Sequence, residues 1–72
     1  MKMTSELKEI ARAGGSIKIS ATQKMTSELK EIASCLTATA SLTIVDANQK
    51  MTSELKEIAR AGAGKVIFDF TT

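Results

Sequence analysis

The sequence predicts an α/β fold: three helix–strand repeats in a short solenoid-like layer, with a three-stranded, mostly parallel sheet and the helices on one face. Three observations predict this fold. The ten-residue block KMTSELKEIA occurs three times, each copy has the apolar spacing of an amphipathic helix, and each is followed by a short β-branched segment. The repeats are residues 2–23, 24–49 and 50–72 of one domain.

The repeated block predicts three amphipathic helices. In the middle copy the apolar side chains recur at helical spacing, at Met25, Leu29, Ile32 and Ala33. Thr26 or Ser27 is the expected N-cap, because a hydroxyl can accept from the free N–H groups of the first turn. Glu28 lies in that turn, where the helix dipole favours negative charge.

The ends of the helices differ between copies. Residues 12–15 and 60–62 carry an arginine followed by glycine, a pattern that predicts a helix end. The middle copy has no glycine at this point, and its residues 34–41 are rich in Ser, Thr and Ala. Two alternatives follow for this segment: the second helix runs on by about one turn, or a loop replaces the glycine cap.

The segments between the blocks predict the strands. Residues 16–21, 42–47 and 66–71 are rich in β-branched or aromatic side chains and partly alternate between apolar and polar. Strands joined through helices favour parallel pairing with right-handed crossovers. Helices on one face are expected, and helices divided between both faces are the main alternative.

Counting back from the next block sets the expected strand register. One set of side chains is then predicted to face the helices: Ile19, Val45 and Phe68, followed by Ala21, Ala47 and Phe70. A second set is predicted on the opposite, open face: Lys18, Ile44, Ile67, Asp46 and Asp69. This second set is the candidate interaction face.

Two resemblances accompany the repeat. The period, with Asn48 after the middle strand, is similar to a leucine-rich repeat, although the LxxLxLxxN/C motif is absent and no functional residue is carried over. Identity over ten residues, surface positions included, resembles an engineered or idealised α/β repeat protein. A very recent duplication is the other origin that would produce it.

Composition argues against several classes of partner. The net charge is only +2, and Trp and Tyr are absent, so neither a nucleic-acid surface nor a membrane-surface helix is expected. The longest uncharged run, residues 32–45, is too short and too polar to span a bilayer. With no leader pattern in the sequence, a cytoplasmic location is expected.

Few residues are suited to catalysis. The sequence contains no His, and its single cysteine, Cys35, is expected to be structural, because it follows a helical stripe near a helix end. Asp46 and Asp69 are predicted on adjacent strands, where they could share a proton or a cation, but two carboxylates alone make a poor site for a hard metal. We therefore predict no catalytic residue, metal, cofactor or small-molecule substrate. A hydrolase or redox protein centred on Cys35 is the weakest hypothesis.

The favoured function is a designed or idealised repeat scaffold, without an evolved ligand, that associates with itself. An array of repeats has two ends, and no capping repeat is evident here. The most apolar strand segment, with Val66, Phe68 and Phe70, is the candidate edge for self-association. The alternative is a small protein–protein interaction module that uses the open sheet face.

Overall fold

The computed structural model describes residues 3–71 and contains three helices alternating with three strands. The helices are α1 (Thr4–Arg12), α2 (Thr26–Ser34) and α3 (Thr52–Gly62). The strands are β1 (Ile17–Ser20), β2 (Leu42–Val45) and β3 (Val66–Phe68), and one turn of 3-10 helix (Ala47–Gln49) precedes α3. The predicted order of helix and strand is confirmed.

The strands form one parallel sheet in the order β1-β2-β3. Helix α2 lies between α1 and α3 and contacts both, so the helices form a single layer. Side chains along β2 alternate between buried and partly exposed, because one face of the sheet packs on the helices and the other is open. The α/β class and the three-stranded parallel sheet are therefore as predicted.

The core is aliphatic and lies between the sheet and the helix layer. Every buried side chain among the described residues is apolar. The largest fully buried side chains are Leu29, Ile32, Leu42, Ile44 and Ile58. Phe68, the aromatic residue packed against this cluster, is only partly buried. The middle unit thus contributes four of the five largest core side chains, because it has a neighbour on each side.

The predicted register of β2 is wrong by one residue. Ile44, rather than Val45, pairs with Ile19 on one side and with Phe68 on the other. Lys24 follows Ile19 by five positions, whereas Lys50 follows Ile44 by six, so the connection from β2 to α3 holds one extra residue.

The extra residue is accommodated at Asp46. This residue is left-handed, with φ of 55° and ψ of 35°, a conformation that Asp adopts more readily than most side chains. The 3-10 turn follows directly. Ile44 is consequently buried, with no exposed surface, and does not belong to the open face. Val45 points to that face instead.

Two of the helix ends decide questions left by the sequence. Helix α2 ends at Ser34 and residues 35–41 form a loop, so the extended-helix alternative is excluded. In the third copy the helix ends at Gly62, within the predicted stop, but Gly62 is its last helical residue and not the left-handed cap. The left-handed residues that end α3 are Ala63, with φ of 49°, and Gly64, with φ of 87°.

Candidate functional site

Hydrogen bonds between hydroxyl and carboxylate groups join each helix to the next. Thr4 Oγ1 donates to Glu28 Oε2 at 2.9 Å, which links α1 to α2. Thr26 Oγ1 donates to Glu54 Oε2, also at 2.9 Å, which links α2 to α3. The threonine and glutamate occupy the same block positions in both cases. The same contact is therefore made twice, always from the earlier copy to the later one.

Ion pairs between the helices follow the same direction. Lys8 Nζ lies 3.2 Å from Glu31 Oε1, and Lys30 Nζ lies 2.9 Å from Glu57 Oε1. All four side chains are partly exposed, and pairs of this kind contribute little to stability. They show which block positions meet across each pair of helices.

The glutamate of each contact also caps its own helix. Glu28 Oε1 accepts from the Met25 backbone N–H at 2.9 Å, and Glu54 Oε1 accepts from that of Met51 at 3.0 Å. Met25 is the N-cap residue, so the predicted Thr26 or Ser27 cap is wrong. The Thr26 hydroxyl instead donates to Glu54 of the next helix. The Met25 backbone N–H is bonded by the Glu28 carboxylate.

These bonds change the acidity of two carboxyl groups. The pKa of Glu28 lies below its ordinary value, first because of the Met25 N–H and then because of the Thr4 hydroxyl. The pKa of Glu54 is lowered in the same way, first by Met51 and then by Thr26. Both groups are bonded most favourably when they are ionised.

The depressed pKa values predict loss of stability in acid. Ionised Glu28 and Glu54 stabilise the folded chain fully above their unfolded pKa of about 4.5. This contribution is lost as the pH falls through the lower folded values. The free energy of unfolding, measured by urea titration between about pH 6 and pH 3, should fall over that window.

Substitution of the hydroxyl donors should make this pH dependence shallower without abolishing it. In a Thr4→Val, Thr26→Val variant the two backbone bonds remain, and only the second cause of each shift is removed. Thr52→Val is the matched control, because the Thr52 hydroxyl has no hydrogen-bond partner within residues 3–71. An equal change in the control would contradict this account.

Burial of the isoleucine that recurs in each block also differs between the first copy and the later ones. Ile32 and Ile58 are fully buried, whereas Ile10, at the same block position in α1, is 41% exposed. The two buried residues each have an earlier helix beside them, whereas no helix precedes α1 within residues 3–71. The repeated alanine behaves oppositely: Ala33 is fully buried in α2, but Ala59 in α3 is partly exposed.

The layer therefore ends in two different surfaces. The α1 end face consists of Glu6, Glu9 and Ile10, the block positions that contact an earlier helix in the other two copies. The α3 end face consists of Thr52, Lys56 and Ala59, the positions that contact a later helix. Hydroxyl and ammonium donors lie on one end and carboxylate acceptors on the other, so the two faces are complementary.

The open sheet face differs from the predicted set. Lys18, Thr43 and Ile67 share one level of this face, and Ile67 is 52% exposed. Lys18 and Ile67 were predicted there correctly. Thr43 takes the place assigned to Ile44, which follows from the register of β2.

The two aspartates each accept hydrogen bonds from a different neighbour. Asp46 Oδ2 accepts from the Ser20 hydroxyl at 2.8 Å. Asp69 accepts from the backbone and the hydroxyl of Thr71, which lowers its pKa, with a smaller effect from the charge of Lys18. No cluster of three potential metal-ligating residues occurs within residues 3–71.

The residues of the candidate self-association edge lie in and just after β3, and one expectation about them is wrong. Strand β3 is an edge strand, and Val66 and Phe68 are partly buried. Phe70 was expected to face the helices, but it lies beyond the strand and is 54% exposed. Its ring lies 6.3 Å from that of Phe68, centroid to centroid.

Cys35 and a surface depression are two further features of the molecule. Cys35 is half-buried at the C-cap of α2 and packs against the core cluster. A shallow depression at the start of α2 and α3 is lined by Lys24 and Lys50, but the acidic Glu28 beside them is already bonded.

None of the helices within residues 3–71 has the length and apolarity needed to cross a membrane.

Comparison with protein-family models found no match, and comparisons with curated proteins and with solved structures found none.

Proposed function

We propose that the chain is a repeat scaffold, a short α/β solenoid layer of idealised or designed repeats that associates with itself and has no evolved ligand or catalytic activity. The observation that carries this proposal is the repetition of one set of contacts: Thr4 to Glu28 recurs as Thr26 to Glu54, and Lys8 to Glu31 recurs as Lys30 to Glu57. A contact set that repeats between copies is what an array of stacked units requires. A cytoplasmic location stays a prediction from the sequence.

Exposed apolar side chains support the self-association part of the proposal. Ile10 on α1, Ile67 on the open sheet face and Phe70 beyond β3 are all among the exposed large hydrophobic residues. Natural arrays cover their terminal units with polar capping repeats. Within residues 3–71 the same block forms the first and the last helix, and Ile10 on the first of them is exposed.

The second candidate is a small protein-interaction module that uses the open sheet face. Its support is the chemistry of that face, where the apolar Ile67 lies at the level of Lys18 and Thr43. The strands also differ between copies while the helices are identical, as expected if the strand surface were selected for a partner.

The state of association in solution tests the first proposal. We expect light scattering to show an average mass that rises with concentration and falls again on dilution, above the 7.7 kDa of one chain. A constant monomer mass from micromolar to millimolar concentration would overturn it. A monomer that captures a partner, and loses it when Ile67 is replaced by Glu, would favour the interaction module.

A further inference from the structure

The two end faces of the helix layer repeat contacts that the chain already makes internally. Toward its successor, α2 presents Thr26, Lys30 and Ala33, and α3 presents the same residue types at Thr52 and Lys56 with Ala59. Within residues 3–71 the side chains of Thr52 and Lys56 have no hydrogen-bond partner. The donors that would meet a fourth helix are therefore in place on α3.

The α1 end face presents the matching acceptors. Glu6 Oε1 accepts from the Met3 backbone N–H at 3.0 Å, as Glu28 Oε1 does from Met25. Within residues 3–71 the other oxygen, Oε2, accepts nothing, whereas Glu28 Oε2 holds the Thr4 hydroxyl.

Glu9 and Ile10 complete this face. Glu9 corresponds to Glu31, which pairs with a lysine of the preceding helix. Ile10 corresponds to Ile32, which is fully buried in α2, the helix that packs against α1. Each position of the α1 end face therefore lacks the one neighbour that the α3 end face supplies.

We infer that the occupant of the α1 end face is the α3 end face of a second copy of this chain. In this junction the Thr52 hydroxyl donates to Glu6, Lys56 pairs with Glu9, and Ala59 packs on Ile10. The edge strands β3 and β1 then lie side by side in the same parallel sense as the pairs within the chain. This inference rests on the proposed self-association and specifies its geometry.

The junction has a consequence for the assembly. It joins two different surfaces, so each added copy leaves one α1 end face and one α3 end face open. Such head-to-tail contacts produce an open filament, or a ring if the rotation closes. A two-fold symmetric dimer, in which α1 meets α1 or α3 meets α3, would bring like residues together, carboxylate on carboxylate or ammonium on ammonium.

Single blocking substitutions at each end test this geometry. Ile10→Glu adds a carboxylate that must be buried without a partner in the junction, and Ala59→Glu adds bulk and negative charge opposite Glu6 and Glu9. By sedimentation velocity, each variant alone should associate at least about tenfold more weakly than the parent chain, because an unpaired buried charge is costly. Thr43→Glu, which adds the same charge to the open sheet face on the central strand β2, is the matched control and should assemble like the parent.

Mixing the two blocked chains gives the decisive result. Ile10→Glu keeps an intact α3 end face and Ala59→Glu an intact α1 end face, so the mixture should form a one-to-one dimer and nothing larger. Circular dichroism on each chain checks that it is folded. Should Ala59→Glu not fold, Lys56→Glu replaces it at the same end, and Glu9→Lys combined with Lys56→Glu in one chain should restore assembly.

Three outcomes would overturn the inference while leaving self-association standing. These are blocked chains that both assemble as well as the parent, a mixture that stays monomeric, and loss of assembly in Thr43→Glu alone. A parent chain that is itself monomeric at every concentration would instead overturn the proposed function.

Discussion

Replacement of Ile32 by alanine should cost about 2–5 kcal/mol of the free energy of unfolding, the range for deleting a fully buried isoleucine. Ile32 is among the largest side chains with no exposed surface, and it packs in α2, which has helices on both sides. A domain of 72 residues has only a few kcal/mol of net stability. We therefore expect chemical denaturation to show a chain that is largely unfolded or close to it at 25 °C.

The repeat provides a control within the same chain. Ile10→Ala makes the same chemical change at the same block position, but Ile10 is 41% exposed, and no helix precedes α1 within residues 3–71. It should cost about 1 kcal/mol or less, because less apolar surface is lost from the core. The comparison is made at a concentration where the chain is monomeric. Equal losses for the two variants would contradict the directional packing of the helices.

Replacement of Gly62 by alanine should destabilise the chain by about 1–3 kcal/mol, although alanine is the better helix former. A Cβ atom on Gly62 would overlap with Val66 Cγ2 and lie 3.5 Å from Ala33 Cβ. Val66 is β-branched and lies in β3, so its side chain has little freedom to move away. The expected loss is measured as a lower urea midpoint with an unchanged slope.

A second substitution tests the cause. In a Gly62→Ala, Val66→Ala variant the close contact is gone, so the double variant should be more stable than the sum of its single variants predicts. If the two losses simply add, the contact between Gly62 and Val66 does not account for the effect.

The repeated block predicted the helices because its apolar spacing is strong and occurs in every copy. The parallel sheet followed because these helices connect the successive strand segments. The register of β2 could not be predicted by counting to the next block, since one extra residue is taken up by the left-handed Asp46 and the turn after it. That displacement moved Ile44 from the open face to the core. The residue types of β2 do not distinguish the predicted register from the observed one, because Thr43 and Val45 are both compatible with a strand.

The candidate site was harder to predict than the fold. Thr26 looked like an N-cap, and only the relative position of α2 and α3 shows that its hydroxyl reaches Glu54. A signal was nevertheless present in the sequence. Identical blocks side by side must present different positions to their earlier and later neighbours, so the first and last copies must end in complementary surfaces.

Residue-resolved NMR across a dilution series tests this central claim most directly. The account predicts that signals of the α1 end face, Glu6 to Ile10, and of the α3 end face, Thr52 to Ala59, change together with concentration. The matching residues of α2 and Thr43, on the central strand β2, should stay nearly constant. Changes centred on α2 and Thr43, or confined to one end of the helix layer, would contradict it.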